Sequence, residues 1–189
     1  EGMLLQVIIS GKISQLKLVW AFGGASGIHP SRNGDIGADP ESVFYLTPEH
    51  CHNNNFHIND EKFSLDFLDK GKTISLQGTT PLNSIVQISN AYHQQSPALL
   101  LQSSTNVITP VLSGQKNIHV NDTLYFAIWE KDSVTAINYD QLPEIFSEAE
   151  NYRKQLFNCV QINTPDSFLN TIGGAISVAA DAIWQSPEF

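Results

Sequence analysis

A chain of 189 residues with 41% apolar side chains can bury one sizeable core, or one core plus an appendage, and is too apolar to stay disordered. Its net charge of -9 and its scattered Lys and Arg leave no basic stripe, which excludes a nucleic-acid backbone as partner. Two cysteines, Cys51 and Cys159, are too few for a disulfide framework or a zinc ribbon and read as free thiols, and no apolar run spans a bilayer.

The start, Glu1-Gly2-Met3-Leu4-Leu5, carries neither a basic leader region nor a cleavage pattern, so these residues do not disclose the compartment. From Leu4 to about Phe126 the hydrophobic period is two. Strands are predicted over 4–9, 16–22, 62–68, 72–77, 84–88, 98–102, 107–112 and 123–129. Leu16, Leu18, Trp20 and Phe22 share one face, as do Phe63, Leu65 and Phe67. Lys70-Gly71 makes 62–68 and 72–77 a hairpin, and Thr79-Thr80-Pro81, Ser96-Pro97, Ser113-Gly114 and Asn121-Asp122 punctuate the rest. Many short strands with short links predict an antiparallel β-sandwich rather than a barrel. Residues 23–42 form a long Gly-rich connection, and a connection of that length is usually either functional or disordered.

Near Asp140 the period changes to that of a helix. Residues 142–157 are amphipathic, with Ile145, Ala149, Tyr152 and Leu156 on one side and acids preceding bases on the other. A second helix is predicted over 165–185, with Thr164 as its cap, Pro165 at the first helical position and Asp166 in the first turn. Phe168, Ile172, Ile176, Ala180 and Trp184 recur every fourth residue, and the opposite side holds Gly173, Gly174, Ser177 and Val178. A helix apolar on so much of its circumference is normally buried on nearly all sides. The chain stops a few residues later, so the expectation is that it belongs to something longer. Asp181 in this helix is read as hydrogen-bonded in a helix interface, with a cavity-lining role as the alternative.

Candidate chemistry thins out on inspection. Gly23-Gly24-Ala25-Ser26-Gly27 lacks the Lys-Ser/Thr of a phosphate loop and does not open onto a helix. His50, Cys51 and His52, with His57 nearby, offer metal ligands but no evident fourth, so no metal is assigned. Asp35, Asp39 and Glu41 match no calcium-loop spacing, and His93 and His119 read as surface or satisfied residues. Ser26, His29 and Asp35 lack any motif that would orient a triad. Glycoside hydrolysis needs two facing carboxylates, and the sequence pairs none. Trp20 and Trp129 alternate with apolar neighbours and read as core.

The run 34–46, Gly-Asp-Ile-Gly-Ala-Asp-Pro-Glu-Ser-Val-Phe-Tyr-Leu, preceded by Phe22-Gly23-Gly24, resembles the amino-terminal part of a bacterial (Bacteroidetes-type) family of unknown function from glycan-degrading gut bacteria. Ile162 to Asn170, with Gly174-Ala175 and Ala179 to Trp184, looks like the start of an (α/α)6 catalytic barrel in that family. The order of sandwich, linker helix and first barrel helix is similar to several clans of inverting glycosidases and phosphorylases.

The expected fold is therefore mainly β: an antiparallel, supersandwich-like sandwich over 1–140, a linker helix over 141–160, and over 161–189 the truncated first helix of a following (α/α)6-type domain. The resemblance implies a non-catalytic module of a periplasmic or secreted glycoside hydrolase. Its partners would be a glycan, met through the parent enzyme, and a helical barrel; no cofactor is implied. No catalytic residue carries over. Arg32, Asp35, Asp39 and Glu41 are candidate sugar contacts, because charged and planar groups hold pairs of hydroxyls. The alternative is a stand-alone carbohydrate-binding module, using exposed rings among Trp20, Tyr45, Tyr92, Tyr125 and Trp129, or a purely structural sandwich.

Overall fold

The computed structural model describes residues 2–12, 15–25, 47–69, 71–102, 107–131 and 137–183. The chain divides into two compact units, Glu1–Tyr139 and Asp140–Phe189. Among its described residues the first holds eight strands: β1 (Gly2–Ile8), β2 (Leu16–Phe22), β3 (Asn55–Asn59), β4 (Lys62–Asp69), β5 (Lys72–Thr79), β6 (Ile85–Asn90), β7 (Pro110–Ile118) and β8 (Thr123–Glu130). They form two antiparallel sheets, β1-β8-β5-β4-β3 and β2-β7-β6, in the predicted sandwich-like arrangement. Among the described residues, no helix is long and apolar enough to cross a membrane.

The alternation read from the sequence fills the space between the sheets. Leu65 on β4 and Leu112 on β7 are fully enclosed there, with Phe56 and Phe63 beside them and Phe22, Phe67, Leu76, Val86 and Ile88 packed around. Burying one such leucine contributes about 1.5–3 kcal/mol. Two strand-interior glycines are part of this packing. Gly78 pairs across strands with Phe63 and Gly114 with Trp20, and each ring lies over its glycine where a Cβ would collide with it. Trp20 then reaches across to Phe126 on β8, ring centroids 5.1 Å apart and edge to face. Both glycines thus make room for a ring rather than a bend. The predicted turn at Ser113-Gly114 is corrected accordingly: β7 runs through it to Ile118.

Two further points of the sandwich differ from the expectation. The strand predicted over 98–102 is a single helical turn, α1 (Pro97–Leu100), because Pro97 suits a first helical position and Leu100 N–H closes onto the Ser96 carbonyl at 2.9 Å. That turn buries Leu100 with Cys51, Ala91 and Val111 as a small second core on the outer face of the three-stranded sheet. Beneath it the Ser89 and Ser113 hydroxyls, both fully buried, satisfy each other at 2.6 Å. β3 was not expected. The hairpin at Gly71 was, and Gly71 takes the positive φ of 83° its turn requires.

Among its described residues the second unit is a pair of helices, α2 (Leu142–Phe157) and α3 (Ser167–Ile183). α3 starts later than predicted. Asp166 is the residue that caps it, its Oδ1 accepting from Phe168 N–H at 2.8 Å, while Thr164 is held by Asn170 through both backbone and side chain. Gly173 and Gly174 allow the close approach of α3 to the end of α2. A Cβ on the first would meet the Val160 carbonyl at 2.8 Å, and one on the second would sit within 2.6 Å of three Phe157 ring atoms. Asp181 accepts from the Tyr152 hydroxyl at 3.0 Å, the helix-interface bond expected of it.

Candidate functional site

The predicted sugar contacts Arg32, Asp35, Asp39 and Glu41 lie outside the described residues, as do Ser26 and His29. What is described is the ground on either side of them. At the exit of β2, Gly23 packs against Val111, where a Cβ would come within 2.8 Å of Cγ2. Its carbonyl accepts from Asn54 Nδ2, and the same amide nitrogen reaches the Pro110 carbonyl at 3.3 Å. Asn54 thereby ties the end of β2 to the approach to β3 and the start of β7, while its Oδ1 is buried with no partner among the described residues.

On the far side, Thr47 opens a 3-10 turn, Pro48–Cys51. His50 is spent on this turn, its Nδ1 accepting from Thr47 N–H at 3.4 Å. Cys51 points into the small core and is 2% exposed. Burial pushes its thiol above the ordinary cysteine value, the reverse of what a nucleophile or metal ligand needs. His50 lies within this turn and His52 caps its end, so the two are not side by side on a strand. No group of three metal-binding side chains occurs among the described residues. Tyr92 Oη donates to Glu49 at 2.8 Å, which holds the carboxyl below its usual range and the phenol above its own. His93 differs from the expectation, since its Nδ1 is buried without a partner among the described residues, whereas His119 bonds Asp122 through its backbone N–H at 2.8 Å.

Of the concavities among the described residues of the sandwich, two bear on function. The first, about 260 Å³, opens between β1 and β2 and is lined by apolar side chains including Met3, Leu5, Leu18, Trp20 and Phe126, with no titratable group among its described lining. The second lies on the outer face of the five-stranded sheet. His57, Ser64, Gln77 and Trp129 are successive register partners across β3, β4, β5 and β8, so period-two alternation sets their side chains in one row. With Asn59, Lys62 and Ile137 they line a groove of about 280 Å³. Lys62 Nζ reaches Asn138 Oδ1 at 2.9 Å, and Asn55 Nδ2 stands 3.5 Å from His57 Nε2. Ser64 and Gln77 are half-buried and their side chains bond no other described residue. No carboxylate lines this groove among the described residues, so the two-acid geometry of glycoside hydrolysis is not present in it.

The aromatic ledger follows the core reading. Trp20 is turned inward, and Trp129, 5% exposed, forms a wall with its indole N–H unpartnered among the described residues. Tyr125 is buried, its hydroxyl accepting from Gln6 Nε2 at 2.7 Å, and Tyr45 lies outside the described residues. Tyr92 is the half-exposed ring that remains of the five, so they form no flat aromatic platform among the described residues. Sequence reasoning passed over Asn54, Ser64 and Gln77. For Ser64 and Gln77 the signal was only that of polar positions facing away from an apolar alternation, and Asn54, buried just before β3, carried none.

No curated protein matches the chain. A family profile does, over residues 1–150, which takes in every strand and the first half of α2. With that coverage, the chain belongs to the family described as Domain of unknown function (DUF4450).

Proposed function

We propose that this sandwich is a non-catalytic module of a glycan-degrading enzyme, exported to the periplasm or beyond, whose catalytic groups sit in a helical (α/α)6-type domain. The observation that carries the reading is the outward face of α3. Phe168 is 83% exposed and Ile176 60%, with Leu169 and Ile172 half-exposed between them, on a helix whose glycine side is already occupied by Phe157 and Ile162. A stripe of that kind fits the flank of another helix, and a helical barrel supplies one. The resemblance of Ile162 to Asn170 and of Ala179 to Trp184 to the opening of such a barrel supports the same partner. In this reading the 23–42 connection extends toward the substrate entrance, with Arg32, Asp35, Asp39 and Glu41 contacting sugar hydroxyls.

The test is made on the protein from the complete reading frame. It should hydrolyse or phosphorolyse a glycan. Deleting Ser31 to Asp39 should lower turnover at least tenfold, and Ile176→Glu should abolish it by separating α3 from the barrel. A full-length protein without a helical catalytic domain, or unchanged kinetics in both variants, overturns the proposal.

A further inference from the structure

We infer that the outer groove of the five-stranded sheet is itself a binding site for a single neutral sugar ring. This goes beyond the supporting role above and does not depend on it, since a module can brace a barrel whether or not this groove is filled.

The groove's chemistry narrows the ligand. Ser64 and Gln77 form the floor, half-buried and bonded to no other described side chain, so one hydroxyl and one amide offer both donors and acceptors at fixed positions on rigid strands. Asn59 and His57 on β3 add an amide and an imidazole at the rim. Such alternation of donors and acceptors matches vicinal hydroxyls, each of which gives and takes a hydrogen bond. Trp129, 5% exposed, closes one side with an apolar edge, a contact for the C–H groups of a pyranose rather than a stacking face.

Other ligand classes fit less well. A cation finds no carboxylate in the described lining. A phosphate would depend on Lys62, whose ammonium is already turned to Asn138. A purely apolar molecule would strip water from Ser64 and Gln77 and return nothing to them. The volume of about 280 Å³ lies at the lower end of ligand pockets, which limits the occupant to one ring.

The chain is titrated with methyl glycosides of the neutral hexoses and pentoses, one at a time, following the Trp129 indole N–H resonance by NMR. The resonance is assigned by its loss in Trp129→Phe. At least one glycoside should shift it saturably with a Kd of about 1 mM, the range open to a small ligand in a shallow site. Gln77→Leu and Ser64→Ala should each weaken that Kd about tenfold or more. The melting temperature of each variant is measured alongside, and Asn59→Ala replaces any variant that fails to fold. No saturable shift with any glycoside overturns the inference, as does a Kd unchanged in the folded variants. A silent groove with an active full-length enzyme would leave the supporting role intact, and a filled groove on an inactive protein would leave the site intact.

Discussion

Trp20 over Gly114 in the sandwich and Phe157 over Gly174 in the helix pair are the same packing device: a large ring laid on a residue that has no side chain. They differ in what lies on the other side of the ring. Trp20 is held from the opposite sheet by Phe126, so the glycine, the ring and the facing strand are stacked in three layers. Phe157 sits at the last turn of α2, packs on Gly174 of α3 and remains 43% exposed. The same local contact is therefore rigid in one unit and yielding in the other, because packing energy depends on how far the surroundings can relax.

The largest test of that difference is Leu65→Ala. Leu65 is fully enclosed between the sheets, so the cavity cannot collapse onto solvent, and the sandwich should lose about 3–4 kcal/mol in urea unfolding. A loss below about 1.5 kcal/mol would mean that the sheets close over the gap and the core is softer than argued. The paired glycine substitutions come next. In Gly114→Ala the new methyl meets an indole pinned from both sides, and about 2 kcal/mol of destabilisation is expected. In Gly174→Ala the ring can swing toward solvent, and replacing a mid-helix glycine returns about 0.5–1 kcal/mol. The helix pair should then change by less than about 1 kcal/mol, read from the α2–α3 amide exchange rates. Equal losses at both sites would refute the contrast.

The two cysteines provide a smaller, kinetic version of the same contrast. Cys159 is exposed beyond the end of α2, while Cys51 is sealed against Ala91, Leu100 and Val111 with its thiol pushed up by burial. A thiol reagent at neutral pH should modify Cys159 at once and Cys51 at least about 100-fold more slowly, limited by opening of the sandwich. Fast labelling of both would show that the small outer core is not closed.

How much of this was legible in the sequence follows the range of the forces involved. The sandwich, the hairpin at Gly71 and the inward faces of β2 and β4 were readable, because alternation and turn chemistry are local. Gly114 was read as a turn because its reason, the Trp20 indole from a strand more than ninety residues earlier, is written nowhere near it. The 98–102 segment carries three consecutive leucines, Leu99 to Leu101, whose run fits a strand as well as a helix; Pro97 and the small core decided between them. β3 was overlooked although Phe56 and Ile58 alternate cleanly, because five residues between Asn and Asn have little apolar weight. The groove was illegible for a related reason. His57, Ser64, Gln77 and Trp129 become neighbours only through register, and register depends on long-range pairing that the sequence does not spell out.

The smallest effect expected is also the one that isolates the open unit. Tyr152 and Asp181 join α2 to α3 at the surface, and the hydrogen bond to Asp181 holds the phenol above its ordinary value near 10, the carboxylate's charge adding to the shift. A group raised on folding stabilises the folded state while it is protonated. The contribution is thus complete at neutral pH, stays whole until the unfolded tyrosine would begin to ionise, and is lost as pH climbs through the folded value. Alkaline titration followed by tyrosinate absorbance and helical circular dichroism should show the last-titrating phenols lose their protons as α2 and α3 separate, with the β signal unchanged over the same interval. Tyr152→Phe should remove that alkaline step and leave behaviour at neutral pH nearly as it was, because an exposed bond competes with water. If the helices separate at the same pH in Tyr152→Phe, another ionising group drives the separation, and the Tyr152–Asp181 bond is not the clasp of the helix pair.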